Sequence, residues 1–244
     1  MTVTMQRTLL EAEKRVGEFE QLIRDIPYDR KGIPFSEMFF LYACASSVSP
    51  GQILESGRAR GQSTHLLALC FPRTPIVSFE LAPLSPDVPI AEARLKGFSN
   101  VSLRFGDASR MLPQLARPGD IVLIDGPKGF RALRLVLRLL RMGKPAMVFV
   151  HDCSKGTVER RFLAKHIPGA FYSDHHAFLG AYARLDEQIR DVAGLGSSKA
   201  WPSYGPTLAC IPLTPGFSYG VALAKAVAEG FVQHFAHCVR KRVS

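Results

Sequence analysis

Between residues 52 and 167, short apolar runs alternate with amphipathic stretches five times over, and no other feature limits the possible folds as strongly. QILES (52–56), PIVSFE (75–80), VSLRFG (101–106), DIVLID (120–125) and AMVFVHD (146–152) read as strands. STHLLALCF (63–71), PIAEARLKGF (89–98), SRMLPQL (109–115), GFRALRLVLRLLRM (129–142) and TVERRFLAKHI (157–167) read as helices. Repeated strand–helix units build a parallel sheet with helices on both faces. Near-continuous apolar strands suit a sheet buried on both sides. AFYSDH (170–175) and TLACIPL (207–213) supply two more strands. The expected class is α/β, with a doubly wound, mostly parallel, seven-stranded sheet.

The flanks read differently. Residues 5–25 form an amphipathic helix, 26–34 a loop, and 35–48 a second helix with Ser36 as its N-cap. Near the other end, Leu223, Val227, Phe231 and Phe235 are spaced along one helix face, which either closes the core or joins a partner subunit as a homodimer contact. The chain therefore divides into an N-terminal helical extension (1–48), a sheet domain (49–215) and a C-terminal helix (216–244). Its 244 residues, 47% hydrophobic, suffice for one such core. No apolar run is long enough to cross a bilayer, and the N-terminus lacks the pattern of a secretion signal, so a cytoplasmic protein is expected. The five cysteines are scattered singly, without zinc-ligand spacing or a disulfide framework.

The net charge is +10. Arg131, Arg134, Arg138 and Arg141 recur at helical spacing, as a solvated basic face or as a patch for an anionic partner: nucleic acid, a lipid surface or an acidic substrate. Charge alone does not make a nucleic-acid binder, and neither an RNA-binding aromatic signature nor a helix-turn-helix pattern accompanies it. GLGSSKAWPSYGP (194–206) reads as a mobile loop or a lid, with Trp201 and Tyr204 available to roof an acceptor.

Chemistry in an open parallel sheet gathers beyond the carboxyl ends of the strands. All five ends deliver an acid: Glu55, Glu80, Asp107, Asp125 and Asp152. Burial does not explain such a set, because unpaired carboxylates are costly to bury, although one or two of them fit as helix caps. Gly57 allows a sharp bend, and Gly61 gives clearance where a helix starts. Glu80, at the second strand end, can accept from both hydroxyls of a ribose, and Asp107 with Ala108 can border an adenine. A dinucleotide fingerprint, G-x-G-x-x-G, fails here: from Gly57 the positions are Gly57, Ala59 and Gln62. An acid at the start of the loop suits a cationic ligand better than a phosphate.

With these residues in view, Glu55-Ser56-Gly57-Arg58-Ala59-Arg60-Gly61 resembles motif I of the class I S-adenosylmethionine-dependent methyltransferases. The resemblance extends through Glu80, Gly106-Asp107-Ala108, Ile124-Asp125-Gly126 and His151-Asp152. It leans toward the small-molecule and sugar O-methyltransferases, including catechol-type and macrolide-sugar enzymes. It implies a Rossmann-like methyltransferase fold that binds S-adenosylmethionine. Glu55 to Gly61 would surround the methionine part, with Gln62 and Ser63 near its carboxylate; Glu80 would hold the ribose; Asp107 and Ala108 would border the adenine. Asp125 and Asp152 match positions that hold Mg²⁺ in that branch. Two residues depart from the pattern. Ala59 replaces the middle glycine, at small cost if its backbone angles are ordinary. Cys153 stands where an amide ligand is usual, which weighs against the metal.

The implied reaction is methyl transfer to a small hydroxylated acceptor. His151 and Asp152 are the catalytic candidates: His151 is either the base that takes the hydroxyl proton or a histidine fixed by the backbone near the strand end. The alternatives are an inactive methyltransferase-like binding protein and a methyltransferase acting on RNA or protein.

Overall fold

In the computed structural model, the described residues are 3–29, 32–187 and 207–243, with 236–243 described by their backbone alone. β1 (Ile53–Ser56), β2 (Ile76–Glu80), β3 (Val101–Phe105), β4 (Ile121–Ile124) and β5 (Met147–Val150) run parallel. Between and after them lie α3 (Gln62–Cys70), α4 (Val88–Leu95), α5 (Ala108–Leu115), α6 (Phe130–Arg141) and α7 (Val158–His166). β7 (Ala209–Pro212) inserts antiparallel between β5 and the edge strand β6 (Phe171–Tyr172). The sheet order is β3-β2-β1-β4-β5-β7-β6, the doubly wound, Rossmann-like arrangement that the alternation requires.

Successive residues in each strand serve opposite faces. Ile53, Ile121, Leu123, Met147 and Phe149 enter one core; Leu54, Val122, Ile124, Val148 and Val150 enter the other. The first core takes in α1 (Met5–Ile23) and α2 (Phe35–Ser46), and the second is closed by α5, α6 and α7 together with α9 (Tyr219–Val243). α2 is apolar on nearly every side, so only an enclosed position satisfies it. Residues 35–45 are accordingly all buried.

Four details differ from the sequence reading. Pro34, not Ser36, precedes α2; Ser36 lies inside the helix and gives both its backbone N–H and its hydroxyl to the buried Asp186 carboxylate. The strand expected at 170–175 shrinks to two residues: Ser173 still exchanges bonds with Leu208, its N–H donating to Leu208 O and its Oγ accepting from Leu208 N, both at 2.9 Å, and the chain then turns where His175 N donates to Tyr172 O at 3.1 Å. A short helix, α8 (His176–Tyr182), and a 3₁₀ turn (Ala183–Asp186) follow. Lastly, α9 meets α6 through Tyr219, Ala222, Ala226 and Gly230, where a Cβ on Gly230 would lie 3.2 Å from Phe130. These mostly small residues let the helices approach closely. Leu223 and Val227 are therefore only half-buried, and Phe231 and Phe235 face solvent. The 194–206 stretch, with Trp201 and Tyr204, lies outside the described residues. Among the described residues, no helix is long and apolar enough to cross a membrane.

Phe40 of α2 joins the N-terminal helices to the sheet, packing edge-on against Phe149, Phe171 and Phe178 at centroid distances of 6.4, 5.7 and 5.1 Å. Phe40→Ala is expected to cost about 3–5 kcal/mol of stability, read as a lower midpoint in urea denaturation.

Candidate functional site

The chain leaves β1 toward β2 and β3 on one side and returns to β4 on the other, so a crevice opens where β1 and β4 end. Two glycines make this crevice possible. A Cβ on Gly57, at φ +91°, would lie 2.9 Å from Gly126 N. Gly61, at φ +75°, starts α3 against Ala91 and Leu95. The cleft beside them has a volume of about 440 Å³, and Gly57, Glu80, Asp107, Ala108 and Lys128 are among its lining residues. Because β1 to β5 are parallel, all five acids lie along the same edge, but they do different things.

Glu80 closes the turn from behind: its Oε2 accepts from Ala59 N at 3.0 Å and its Oε1 from Leu81 N at 2.8 Å. Oε1 also accepts from Ala82 N at 3.3 Å, so it is Oε2, with one such bond, that keeps a lone pair to offer. Asp107 caps α5, accepting from Ser109 N at 2.9 Å, while still lining the cleft. Glu55 is fully enclosed. It accepts from Ser78 Oγ at 2.6 Å and from Thr64 Oγ1, and burial pushes its carboxyl pKa up against the opposing effect of Ser63, Ser78 and Thr64. It supports the loop from below and does not line the cleft. Gln62 is also committed elsewhere: its Oε1 accepts from Asp29 N at 2.6 Å and its Nε2 donates to Ile33 O at 3.3 Å, which fixes the loop before α2. Ser63 is buried beside Glu55.

The backbone at Ala59 is not ordinary. Its φ is +45°, a left-handed conformation in which an L side chain is strained. Asp152 is likewise left-handed, at φ +57°.

At the ends of β4 and β5 the charges condense into one cluster. Lys128 Nζ lies 2.6 Å from both Asp125 Oδ1 and Asp152 Oδ2. His151 Nδ1 lies 2.9 Å from Asp125 Oδ1 and 3.2 Å from Asp152 Oδ1. His151 Nε2 lies 2.8 Å from Oε2 of Glu37, a buried acid of α2. The ring N–H groups are not aligned as hydrogen bonds, so these are close charge contacts. Glu37 is itself held by the backbone N–H of Thr207.

With an acid near each ring nitrogen, the surroundings of His151 favour its charged form. Burial opposes the charge, but Glu37 and then Asp125 and Asp152 outweigh it and raise the pKa well above the usual histidine value. For Asp125 burial acts upward, yet His151 and Lys128 hold the carboxyl below its ordinary range. The close contact with His151 is the main cause that lowers Asp152. Lys128 is raised by its two carboxylates against the effect of burial. A neutral histidine, as a free base requires, is therefore not the state this arrangement favours.

The cluster also bears on a metal. Asp125, His151 and Asp152 could each offer one atom, all within 4.8 Å of one another. However, the two carboxylates already meet the Lys128 ammonium, 2.6 Å from each, and the His151 ring, so a divalent cation would have to displace Lys128. Cys153 is buried in the second core, its thiol pushed up to about 12 by burial, and adds no hard ligand. The donor set does not fit a divalent cation.

Reading the sequence missed Lys128 and Glu37. Lys128 was visible as a cation three residues after Asp125, and Glu37 as the lone acid in an otherwise apolar FSEMFF run.

No family model matches the chain. It is 28% identical over 162 residues to an uncharacterized RNA methyltransferase from Nostoc sp., covering 59% of this chain and 35% of that protein. It is 29% identical over 120 residues to an NAD-dependent epimerase/dehydratase from Aspergillus flavipes, covering 48% and 33%. The chain thus spans about a third of the length of these curated relatives. Among solved structures, it is similar to the O-methyltransferase TomG from Streptomyces achromogenes in complex with SAM. The identity is 18%, the coverage 88% of this chain and 100% of that one, and the TM-score 0.49.

Two measurements test the site. Ala59→Gly relieves the left-handed strain and is expected to add about 1 kcal/mol of stability, raising the thermal midpoint. For His151, the raised folded pKa means that its stabilising charge contacts are complete below the ordinary value of ~6.5 and are lost as pH climbs through the higher folded value. Heteronuclear NMR of the ring nitrogens should report an imidazolium at neutral pH, and Glu37→Gln should move its titration to lower pH.

Proposed function

We propose that the chain is an S-adenosylmethionine-dependent methyltransferase that methylates a hydroxyl of a small acceptor. The observation that carries this reading is the convergence of Gly57, Glu80, Asp107 and Ala108 on one cleft at the β1/β4 switch point, beside a charged cluster at the ends of β4 and β5. The missing dinucleotide fingerprint favours this cofactor over NAD.

Glu80 would take a ribose hydroxyl with the lone pair left on Oε2, and Asp107 and Ala108 would flank the base. When bound, the cofactor supplies an activated methyl group on a sulfonium. The remaining work belongs to the protein. Lys128 and Asp152 are the exposed members of the cluster, with side chains 48% and 43% accessible. An acceptor oxygen entering between them would donate its proton toward the Asp152 carboxylate while the Lys128 ammonium stabilises the negative charge that develops on it. His151, enclosed between Glu37 and the two aspartates, acts as a positioning residue: it fixes Asp125 and Asp152, and its own proton stays on the ring. No step needs a divalent cation.

Calorimetry should detect S-adenosylmethionine binding, weakened about 10–100-fold by Glu80→Ala, the range expected for losing hydrogen bonds to a charged group. Formation of S-adenosylhomocysteine with a panel of hydroxylated acceptors should persist in a chelator and fall sharply in Lys128→Met. Tight cofactor binding without turnover on any acceptor would point instead to a non-catalytic binding protein. A second reading, methyl transfer to RNA, draws on the exposed arginines of α6 and the name of the Nostoc relative. Turnover on RNA but on no small acceptor would select it.

A further inference from the structure

The C-terminal helix presents a face that folding does not explain. Val221, Phe231, Val232 and Phe235 are 56%, 69%, 70% and 72% exposed, and Ala224 and Ala228 are exposed with them. At 100° per residue these six lie on one side of α9, opposite the buried Tyr219, Ala222 and Ala226. A helix packed by one face on a globular domain normally turns polar residues outward. A continuous apolar face is a mark of an interaction surface.

The flanks of this ridge are basic. The groove on its α6 side, about 530 Å³, is lined by Lys128, Arg131, Arg134 and His234 among others, and no carboxylate contributes to it. No acidic side chain among the described residues pairs with Arg131 or Arg134, and Arg138 and Arg141 continue the exposed stripe along α6. The groove on the α7 side, about 570 Å³, carries Arg161 and Lys165 and one acid, Glu229, which lies 3.0 Å from His166 and 3.7 Å from Lys165.

We propose that the outer face of α9 and its basic flanks dock the protein on an anionic membrane surface. Interfacial helices combine an apolar face that enters the headgroup boundary with cations that meet acidic lipids. The charge pattern separates this partner from two others. A second copy packed ridge to ridge would bring Arg131, Arg134 and Arg161 toward the same cations of its twin, with little acid to offset them. A nucleic-acid strand would use the arginines and could stack on Phe231, but it has no use for the aliphatic Val221 and Val232. Docking would be peripheral, since among the described residues no helix is long and apolar enough to cross a membrane. Lys128 lines both this groove and the cofactor cleft, so the mouth of the candidate site would face the lipid. The proposal does not depend on the methyl-transfer reading, because its test reads binding and not turnover.

The test is co-sedimentation of the full chain with vesicles of phosphatidylcholine alone or mixed with phosphatidylglycerol. Binding is expected to the mixed vesicles only, and to weaken in high salt. Arg131→Ala and Arg134→Ala should each lower partitioning about fivefold. The double variant Phe231→Ser/Phe235→Ser should lower it by about tenfold or more. Both phenylalanines face solvent, so an unchanged thermal midpoint should verify the fold, and a polarity-sensitive dye at Val232→Cys should shift to the blue on mixed vesicles. Equal binding to both vesicle types, no binding, or variants that bind like the parent would overturn the proposal. So would a dimer that the phenylalanine variant dissociates, or binding of single-stranded RNA that the same variants abolish, if vesicles were not bound.

Discussion

An imidazole enclosed by acids holds this edge of the sheet together. His151 stands at the end of β5, yet its contacts reach Asp125 on β4, Asp152 beside it and Glu37 on α2. Removing such a ring from water is unfavourable unless counter-charges surround it. Here three acids from separate parts of the chain do so, and each is placed by packing that extends well beyond the site. Glu37 is there because α2 is too apolar to lie anywhere but inside, and Thr207 fixes it from the chain that enters β7. The N-terminal helices are therefore part of the site, not an appendage to it.

Electrostatics within the cluster distributes the roles. His151 and Lys128 lie against the three carboxylates, and Lys128 occupies the space between Asp125 and Asp152 that a metal would need. Lys128 lines the cleft, and Asp152, 43% accessible, stands 2.6 Å from it at the cluster's exposed side. Such a pair can receive a hydroxyl, accept its hydrogen bond and stabilise the oxygen as charge builds up, with no reorganisation of distant groups. The left-handed backbone at Asp152 belongs to the same picture, since strain of this kind persists where surrounding contacts over-determine a residue.

Support for the turn at 57–61 comes from the other side. Glu55 and Gln62 look like ligand contacts when read as a motif, but one is bonded to Thr64 and Ser78 and the other to the loop before α2. Arg60 and Arg94 reach the same loop through Asp29, at 3.4 and 3.1 Å. The turn is thus held in place from beneath and beside, leaving Gly57, Glu80 and the Asp107–Ala108 pair facing the cleft. These supporting partners come from segments distant in sequence, which is why a linear motif could not separate them from residues that face a ligand.

The sequence by itself determined the sheet, the order of its helices and the edge on which the acids gather. Those features follow from local periodicity and from the handedness of strand–helix–strand units, and both are written into neighbouring residues. Glycines at 57 and 61 were legible for the same reason, because a sharp turn at a strand end needs them wherever the rest of the chain goes. Protonation states were not legible. Whether His151 is a base or an imidazolium depends on Glu37, more than a hundred residues earlier, and on Lys128 reaching across to two carboxylates. The strain at Ala59 and the outward turn of Phe231 and Phe235 were decided at the same level. One depends on how the loop must bend to meet Glu80, the other on how closely the small residues of α9 settle against α6. Periodicity specifies which elements form; charge state and exposure depend on what those elements meet after packing.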